Sequence, residues 1–218
     1  MPAQILHTLF GEDATGELTA DYPRAREFEG AFALGCQGPD LFYHSRRRRP
    51  VAVEYGSLLH RRGFGSFAAA LLRRSLAAEP TELAWYALGF ASHAALDRAL
   101  HPYIVYKAAW AVPSRPETAR YARNHAFFER IIDVLLLRML RGTSPRFWDQ
   151  RRLLAEPCSH PPAGLAAVLK ESFLEAYPER AGKDEKLAER IANALQDGAV
   201  FYEMTDPRTA ARAAGGAA

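Results

Sequence analysis

The chain has little cysteine: two residues in 218, Cys36 and Cys158, with no C-x-x-C spacing. That scarcity excludes a disulfide framework and a thiolate zinc finger, and it fits a reducing compartment. Net charge is also small, +3, too mild to call for a polyanion, so no stable nucleic-acid complex is expected. A long apolar run is missing too. The most apolar window, Ile131 to Leu140, is broken by Asp133 and Arg138 and is about half the length that spans a bilayer. The start, Met1-Pro2-Ala3-Gln4-Ile5-Leu6-His7, lacks the basic residues and apolar stretch of a secretory signal. A soluble, cytoplasmic protein without a transmembrane segment is expected; oligomeric state cannot be read from these features.

Several motifs are absent as well. There is no G-x-x-x-x-G-K-[ST] phosphate loop and no H-E-x-x-H of a metalloprotease. No histidine follows an acidic residue by three, as a ferritin-like di-metal site requires, and none is directly followed by Asp. No segment alternates with period two between turn residues, so strands are not expected.

What is present is a globular composition, 49% hydrophobic and 24% charged, with helical periodicity nearly throughout. The expected architecture is all-α, a single-domain multi-helix bundle over residues 1–206 with a metal cluster among its central helices, followed by a frayed Ala- and Gly-rich tail, 207–218. A first helix is expected from Ala3 to Phe10, stopping at Gly11, and a second from Pro23 to Leu34. Gly38-Pro39-Asp40 breaks the chain, and Leu41 to Val53, with the Arg46 to Arg49 run, reads as a loop. A third helix spans Gly56 to Ala77, weakened by Gly63 and Gly65. A fourth follows a Thr81 N-cap and runs to Leu100, because the Pro102 ring disfavours helical geometry at His101. Being apolar nearly all round, it is the candidate central helix. A fifth is expected from the capping box Ser114-x-x-Glu117 to Arg141, with an inward stripe of Tyr121, His125, Phe128, Ile132, Leu135 and Met139. Two more, Ala163 to Ala176 and Asp184 to Tyr202, close the bundle.

Five of the seven histidines and three acidic residues form one ordered series: His7, Asp40, His60, His93-x-x-x-Asp97, His101 and His125-x-x-x-Glu129. A His and a carboxylate four apart share one helix face and can reach a single ion. Spacing alone is weak evidence: 7 × 25/218 gives about 0.8 such pairs by chance against two observed. Context is stronger, because His93 and Asp97 interrupt an apolar helix and His125 sits on an apolar stripe, where an unpartnered carboxylate would lose its charge. Imidazole and carboxylate without thiolate suit zinc first and other divalent metals next. By contrast, His44 reads as an exposed loop histidine, Arg46 to Arg49 as a solvated basic loop, and Phe42, Tyr43 and Tyr103 as packing.

These residues together resemble the zinc-dependent phospholipase C family, whose all-helical fold is shared by a group of nucleases. The resemblance runs from Met1-Pro2 and His7 through Gly38-Pro39-Asp40 and His60-Arg61 to His93-Ala-Ala-Leu-Asp97-Arg-Ala-Leu-His101-Pro102-Tyr103 and Asn124-His125-Ala-Phe-Phe-Glu129. It implies two or three zinc ions. One would be held by Asp40, His60 and His93 with Asp97 bridging, a second by His101, His125 and Glu129, and a third by His7 and Asp97. Secreted members complete the third with a processed N-terminal residue, and here the chain departs by beginning Met1-Pro2. The shorter interval from Asp97 to His101 suggests a different turn at Pro102. The implied activity is hydrolysis of a small-molecule or lipid phosphodiester by a metal-activated water attacking phosphorus, which Asp40 would orient or deprotonate. A non-catalytic metal-binding protein and a nuclease or phosphatase of the same fold are the alternatives.

Overall fold

The computed structural model describes residues 4–20, 27–76 and 81–209, the side chains of 17–20 apart. It is one helical bundle with no strand among the described residues. The helices are α1 (Gln4–Ala20), α2 (Glu29–Cys36), α3 (Asp40–Tyr43), α4 (Val53–Arg61), α5 (Phe64–Ser75), α6 (Glu82–Ala108), α7 (Asn124–Arg141), α8 (Glu156–Ser159), α9 (Leu165–Ala176), α10 (Pro178–Ala181) and α11 (Leu187–Met204). The expected starts at Ala3 and Pro23, the end at Ala77 and the tail beyond 209 lie outside the described residues.

Two apolar clusters bracket α6. The larger gathers Phe42, Tyr55, Phe67, Tyr86, Phe90, Phe173 and Tyr202, all fully buried, each contributing roughly 1.5–3 kcal/mol by its removal from water. The smaller joins Leu6 of α1, Ile104 of α6 and Ile132 of α7. Between Phe90 and Ile104 on the same helix lie His93, Asp97 and His101, so the polar series occupies the seam between the two.

The sequence placed several boundaries elsewhere. Helix α1 passes through Gly11, whose missing side chain makes room for Cys36 and Phe32 of α2 instead of ending the helix. The third expected helix is two, α4 and α5, separated where Arg62 is extended and Gly63 takes φ +78° against the Tyr177 ring. Thr81 caps α6 as expected, its hydroxyl accepting from the Ala84 amide at 3.2 Å. The helix then continues through Pro102 to Ala108. Proline removes the donor to the carbonyl of Arg98 and crowds that oxygen, but the residue is exposed, so the carbonyl can tilt out to water. His101 therefore stays helical and shares a face with His93 and Asp97. Only the first half of α6 is central; Tyr103 and Tyr106 further along are exposed.

The Ser114-x-x-Glu117 box does not open α7. Thr118 ties that segment into a loop, its hydroxyl accepting from the Val112 amide and donating to the Arg115 carbonyl, each at 2.7 Å, and Pro116–Tyr121 forms a 3-10 turn. A local side-chain bond of this kind competes with helix. In α7 the inward residues are Glu129, Ile132, Asp133 and Leu137, whereas Leu135 and Met139 are exposed. The stripe is thus rotated toward two carboxylates. Helices α9 and α11 fall where expected.

Helix α2 packs along α6 over an extensive contact. A Cβ on Gly35 would fall on the Tyr86 carbonyl, and one on Gly89 on the Phe32 carbonyl. Backbone cannot move aside as a side chain can, so Gly35→Ala is expected to destabilise the protein by about 1–3 kcal/mol or more. Gly65→Ala, in open space within α5, should stabilise by about 0.5–1 kcal/mol. Urea melts of the two variants check both signs.

Candidate metal centre

Five helices deliver the eight residues. His7 comes from α1, Asp40 from α3, His60 from α4, His93, Asp97 and His101 from α6, and His125 and Glu129 from α7. Positions 93, 97 and 101 lie one turn apart on a single face of α6, a ladder about 12 Å long. His7, Asp40, His93 and Glu129 are buried, and the other four are half-buried. Asp40 is brought there by the Gly38-Pro39 turn. Gly38 has φ +53°, and a Cβ on it would meet the His93 ring, so only glycine allows the turn to press against that imidazole.

The hydrogen bonds fix which nitrogens face inward. His93 Nδ1 lies 3.1 Å from the Cys36 carbonyl and His60 Nδ1 lies 2.8 Å from the Gly56 carbonyl. A carbonyl only accepts, so each Nδ1 carries the proton and each neutral ring turns an Nε2 lone pair inward. Those lone pairs meet more acceptors. His93 Nε2 is 3.4 Å from Asp97 Oδ2 and 3.8 Å from Asp40 Oδ2, while His60 Nε2 is 3.2 Å from Asp40 Oδ1 and 3.8 Å from Asp97 Oδ2. His7 Nε2 approaches Asp97 Oδ1 at 3.5 Å, with its ring stacked on His93 at 4.0 Å. His93 Nε2 and His7 Nδ1 are buried without a hydrogen-bond partner.

At the other end of the ladder, His101 Nε2 and His125 Nε2 are 3.0 Å apart, and Glu129 Oε1 lies 3.0 Å from the latter and 3.6 Å from the former. Ligand bonds of about 2.0–2.1 Å place tetrahedral neighbours roughly 3.3 Å apart, and this triangle brackets that value. Three groups have ligand atoms within 4.8 Å of one another: His7, Asp40 and His93; His60, His93 and Asp97; His101, His125 and Glu129. Acceptors converging on acceptors in buried surroundings require cations between them, and the all-nitrogen-and-oxygen donor set fits zinc.

Electrostatics without a metal show the same demand. Burial alone would raise the Asp97 carboxyl, but the His7 and His93 imidazoles outweigh it and hold it well below the usual carboxylate range. Burial likewise opposes protonation of His93, yet Asp97 and Asp40 raise it, and His60 is raised chiefly by Asp40. His7 is lowered, by burial and then by the His93 charge. The raised proton affinity of His93 and His60 marks the same place as one that favours positive charge.

Above the centre opens a cleft of about 840 Å³, floored by Asp40, His60, Asp97, His101, His125 and Glu129 and walled by Tyr43, Trp110 and Tyr121. Tyr43 stacks on His60 at 5.1 Å, and Trp110 stands edge-on to His125 at 6.2 Å. Tyr43 is therefore more than packing, whereas Phe42 is core and Tyr103 lies outside the cleft. Arg46 to Arg49 do not line it. Their loop is pinned by the buried Asp197, which accepts from the Arg47 and Arg48 amides at 2.8 and 3.0 Å and from the Arg48 guanidinium at 2.9 Å. His44 corrects the sequence reading: it is buried against Phe201, its ring stacked at 3.8 Å, and burial lowers it to about 4.

Two residues that hold the centre escaped the sequence reading. Gln37 Nε2 donates to the Gln4 and Ala33 carbonyls and to Thr8 Oγ1, tying α1 to α2. Asp133, one turn beyond Glu129, accepts from the Ile5 and Leu6 amides at 3.2 and 2.8 Å and docks the start of α1, hence His7, on α7. Burial pushes its carboxyl up to about 7 even though the amides pull it down. Its one sequence signal is a lone carboxylate in the most apolar window. Removing it strands two amides at about 1–3 kcal/mol each. Asp133→Ala is therefore expected to lose about 2 kcal/mol or more in a denaturant melt, and a loss below about 0.5 kcal/mol would show that it anchors nothing.

A model of the zinc dependent phospholipase C family matches residues 6–181. The match takes in all eight residues of the centre and reaches past them through α9 to α10. No curated protein and no solved structure matches the chain. By a match over most of its length, and with the ligand-type residues of its series gathered at one seam, the chain belongs to the zinc-dependent phospholipase C family.

Proposed function

We propose that this protein is a zinc-dependent, phospholipase C-like hydrolase of phosphodiester bonds. The observation that carries the reading is an open cleft directly above inward-facing imidazole and carboxylate acceptors, since a purely structural metal site would be closed over. His60, His93 and Asp97, with Asp40, would hold one ion, His101, His125 and Glu129 a second, and His7 with Asp97 a third. Zinc, when bound, supplies a Lewis acid and brings the pKa of a coordinated water down toward about 7.

The chain's own residues account for the rest. The Cys36 and Gly56 carbonyls fix the tautomers of His93 and His60, an orienting role that outer partners of metal ligands commonly fill. Asp40 lines the cleft beside His60, where its carboxylate can orient a water or take its proton. Pro102, Val105 and Trp110 give one wall an apolar face that would seat the uncharged part of a substrate and exclude water. Tyr43, Trp110 and Tyr121 also suit a nucleobase, which keeps nucleotide phosphodiesters as a second substrate class beside lipids. Among the described residues no helix is long and apolar enough to cross a membrane, so a lipid substrate would be met from the aqueous side.

Purified protein is expected to contain two or three equivalents of zinc and to hydrolyse members of a panel of lipid and nucleotide phosphodiesters until chelator is added. Turnover indifferent to chelator, or no turnover from a zinc-loaded sample, would leave a metal-binding protein without this activity. His93→Ala and Glu129→Ala should each lower zinc content and reduce activity by more than the roughly 10–100-fold that loss of an outer partner costs.

Zinc binding should also depend on pH. His60 and His93 are raised in the metal-free protein, so the stability that their protonation contributes is present below about 6.5 and fades as pH rises through their folded values. Zinc must displace those protons. Between pH 6 and 8 its affinity should therefore rise about tenfold per unit for each proton released, and the thermal shift it gives should grow. Calorimetry in buffers of different ionisation enthalpy counts the protons, and a flat profile would contradict the ligand assignment.

A further inference from the structure

We propose that a crevice beside the centre binds a second phosphoryl group, so that the substrate is a phosphodiester carrying a further phosphomonoester. This rests on the hydrolase reading above and narrows it. The crevice, about 210 Å³, shares His60, Asp97 and Arg98 with the main cleft and is lined in addition by Arg61 and Arg62. At roughly 30 Å³ per water molecule it has room for one phosphoryl group. A phosphodiester over the centre would have its alcohol portion within reach of it.

The crevice gathers positive charge beside the centre. Some arginines elsewhere are neutralised on the surface, Arg73 and Arg74 by Glu175, Arg152 by Glu29, Arg180 by Glu54 and Arg208 by Asp206. Arg61, Arg62 and Arg98 are exposed, and no side-chain hydrogen bond or ion pair joins any of them to another described residue. Asp97, the carboxylate that lines the crevice, faces the His93 imidazole. Three exposed arginines lining one small opening give it a positive potential, and their planar forks match phosphate oxygens in pairs. The turn that carries two of them is set in advance. Tyr177 donates to the Arg62 carbonyl at 2.6 Å, and its ring fills the space beside Gly63, which lowers the ordering cost of binding. A cationic headgroup, by contrast, would meet three like charges.

The test uses matched pairs of substrates on the zinc-loaded protein: phosphatidylinositol 4-phosphate against phosphatidylinositol in the same mixed micelles, and a dinucleotide with against without a terminal 5′-phosphate. The phosphorylated member of at least one pair should be preferred by about tenfold or more in kcat/KM. The pair that discriminates identifies a lipid or a nucleotide source. In the triple variant R61A/R62A/R98A the ratio should fall toward one; because it is internal to each protein, a general loss of activity cancels. No preference in either pair, or a preference that survives the triple variant, overturns the proposal. If nothing is hydrolysed at all, the hydrolase reading fails separately, and calorimetry then decides the crevice. Inositol 1,4-bisphosphate should bind about tenfold tighter than inositol 1-phosphate, with the difference lost in the triple variant; equal binding overturns it.

Discussion

Two backbone carbonyls, those of Cys36 and Gly56, accept the Nδ1 protons of His93 and His60 and thereby turn both Nε2 lone pairs onto the Asp40 and Asp97 carboxylates. Acceptor facing acceptor at a buried seam is stable only with positive charge between them. The rest of the centre is arranged around that requirement. Helix α6 supplies the ladder of His93, Asp97 and His101, the Gly38 turn presses Asp40 toward it, and Asp133 and Gln37 hold α1 so that His7 reaches Asp97. In the metal-free protein the carboxylates raise the proton affinity of His93 and His60, and His93 Nε2 and His7 Nδ1 stand buried without a hydrogen-bond partner.

Much of this was legible in the chain. The all-helical class, the Thr81 cap and helices α9 and α11 follow from periodicity and end signals, and the His93–Asp97 and His125–Glu129 pairs from polar groups set in apolar sequence, whereas His7, Asp40, His60 and His101 were marked by the family resemblance. What was not legible has physical causes. Local rules end a helix before Pro102 and at Gly11, but the packing of α6 on both sides of Pro102 outweighs the cost of the proline, and a glycine needed for packing looks the same in sequence as one that stops a helix. Binary patterning turned α7 the wrong way because its inward face carries Glu129 and Asp133, which a hydrophobicity rule sends to solvent, whereas Leu135 and Met139 are exposed. The partners of Asp133 lie at Ile5 and Leu6, at the far end of the sequence, and no local pattern contains them.

Proximity in sequence also misled on charge. The Arg46 to Arg49 run follows Asp40 closely, yet its backbone is committed to Asp197 and its side chains are exposed away from the cleft. Single arginines, each beside a residue of the centre or the next one along, line the crevice instead: Arg61 and Arg62 after His60, and Arg98 after Asp97. A four-residue cluster is easy to see, and three residues at the end of α4, in the turn after it and on α6 are not. The family match reaches well past the ordered series, into α9 and α10, which fits a fold in which α9 and Tyr177 back α5 and the Arg62 turn.

The central claim is that cations sit between these facing acceptors, and crystallography with anomalous scattering at the zinc edge tests it most directly. The account predicts one peak within about 2.0–2.1 Å of His60 Nε2, His93 Nε2 and an Asp97 oxygen, and another among His101, His125 and Glu129. Zinc-soaked crystals with no peak at either place, and with His93 bonded directly to Asp97, would contradict it.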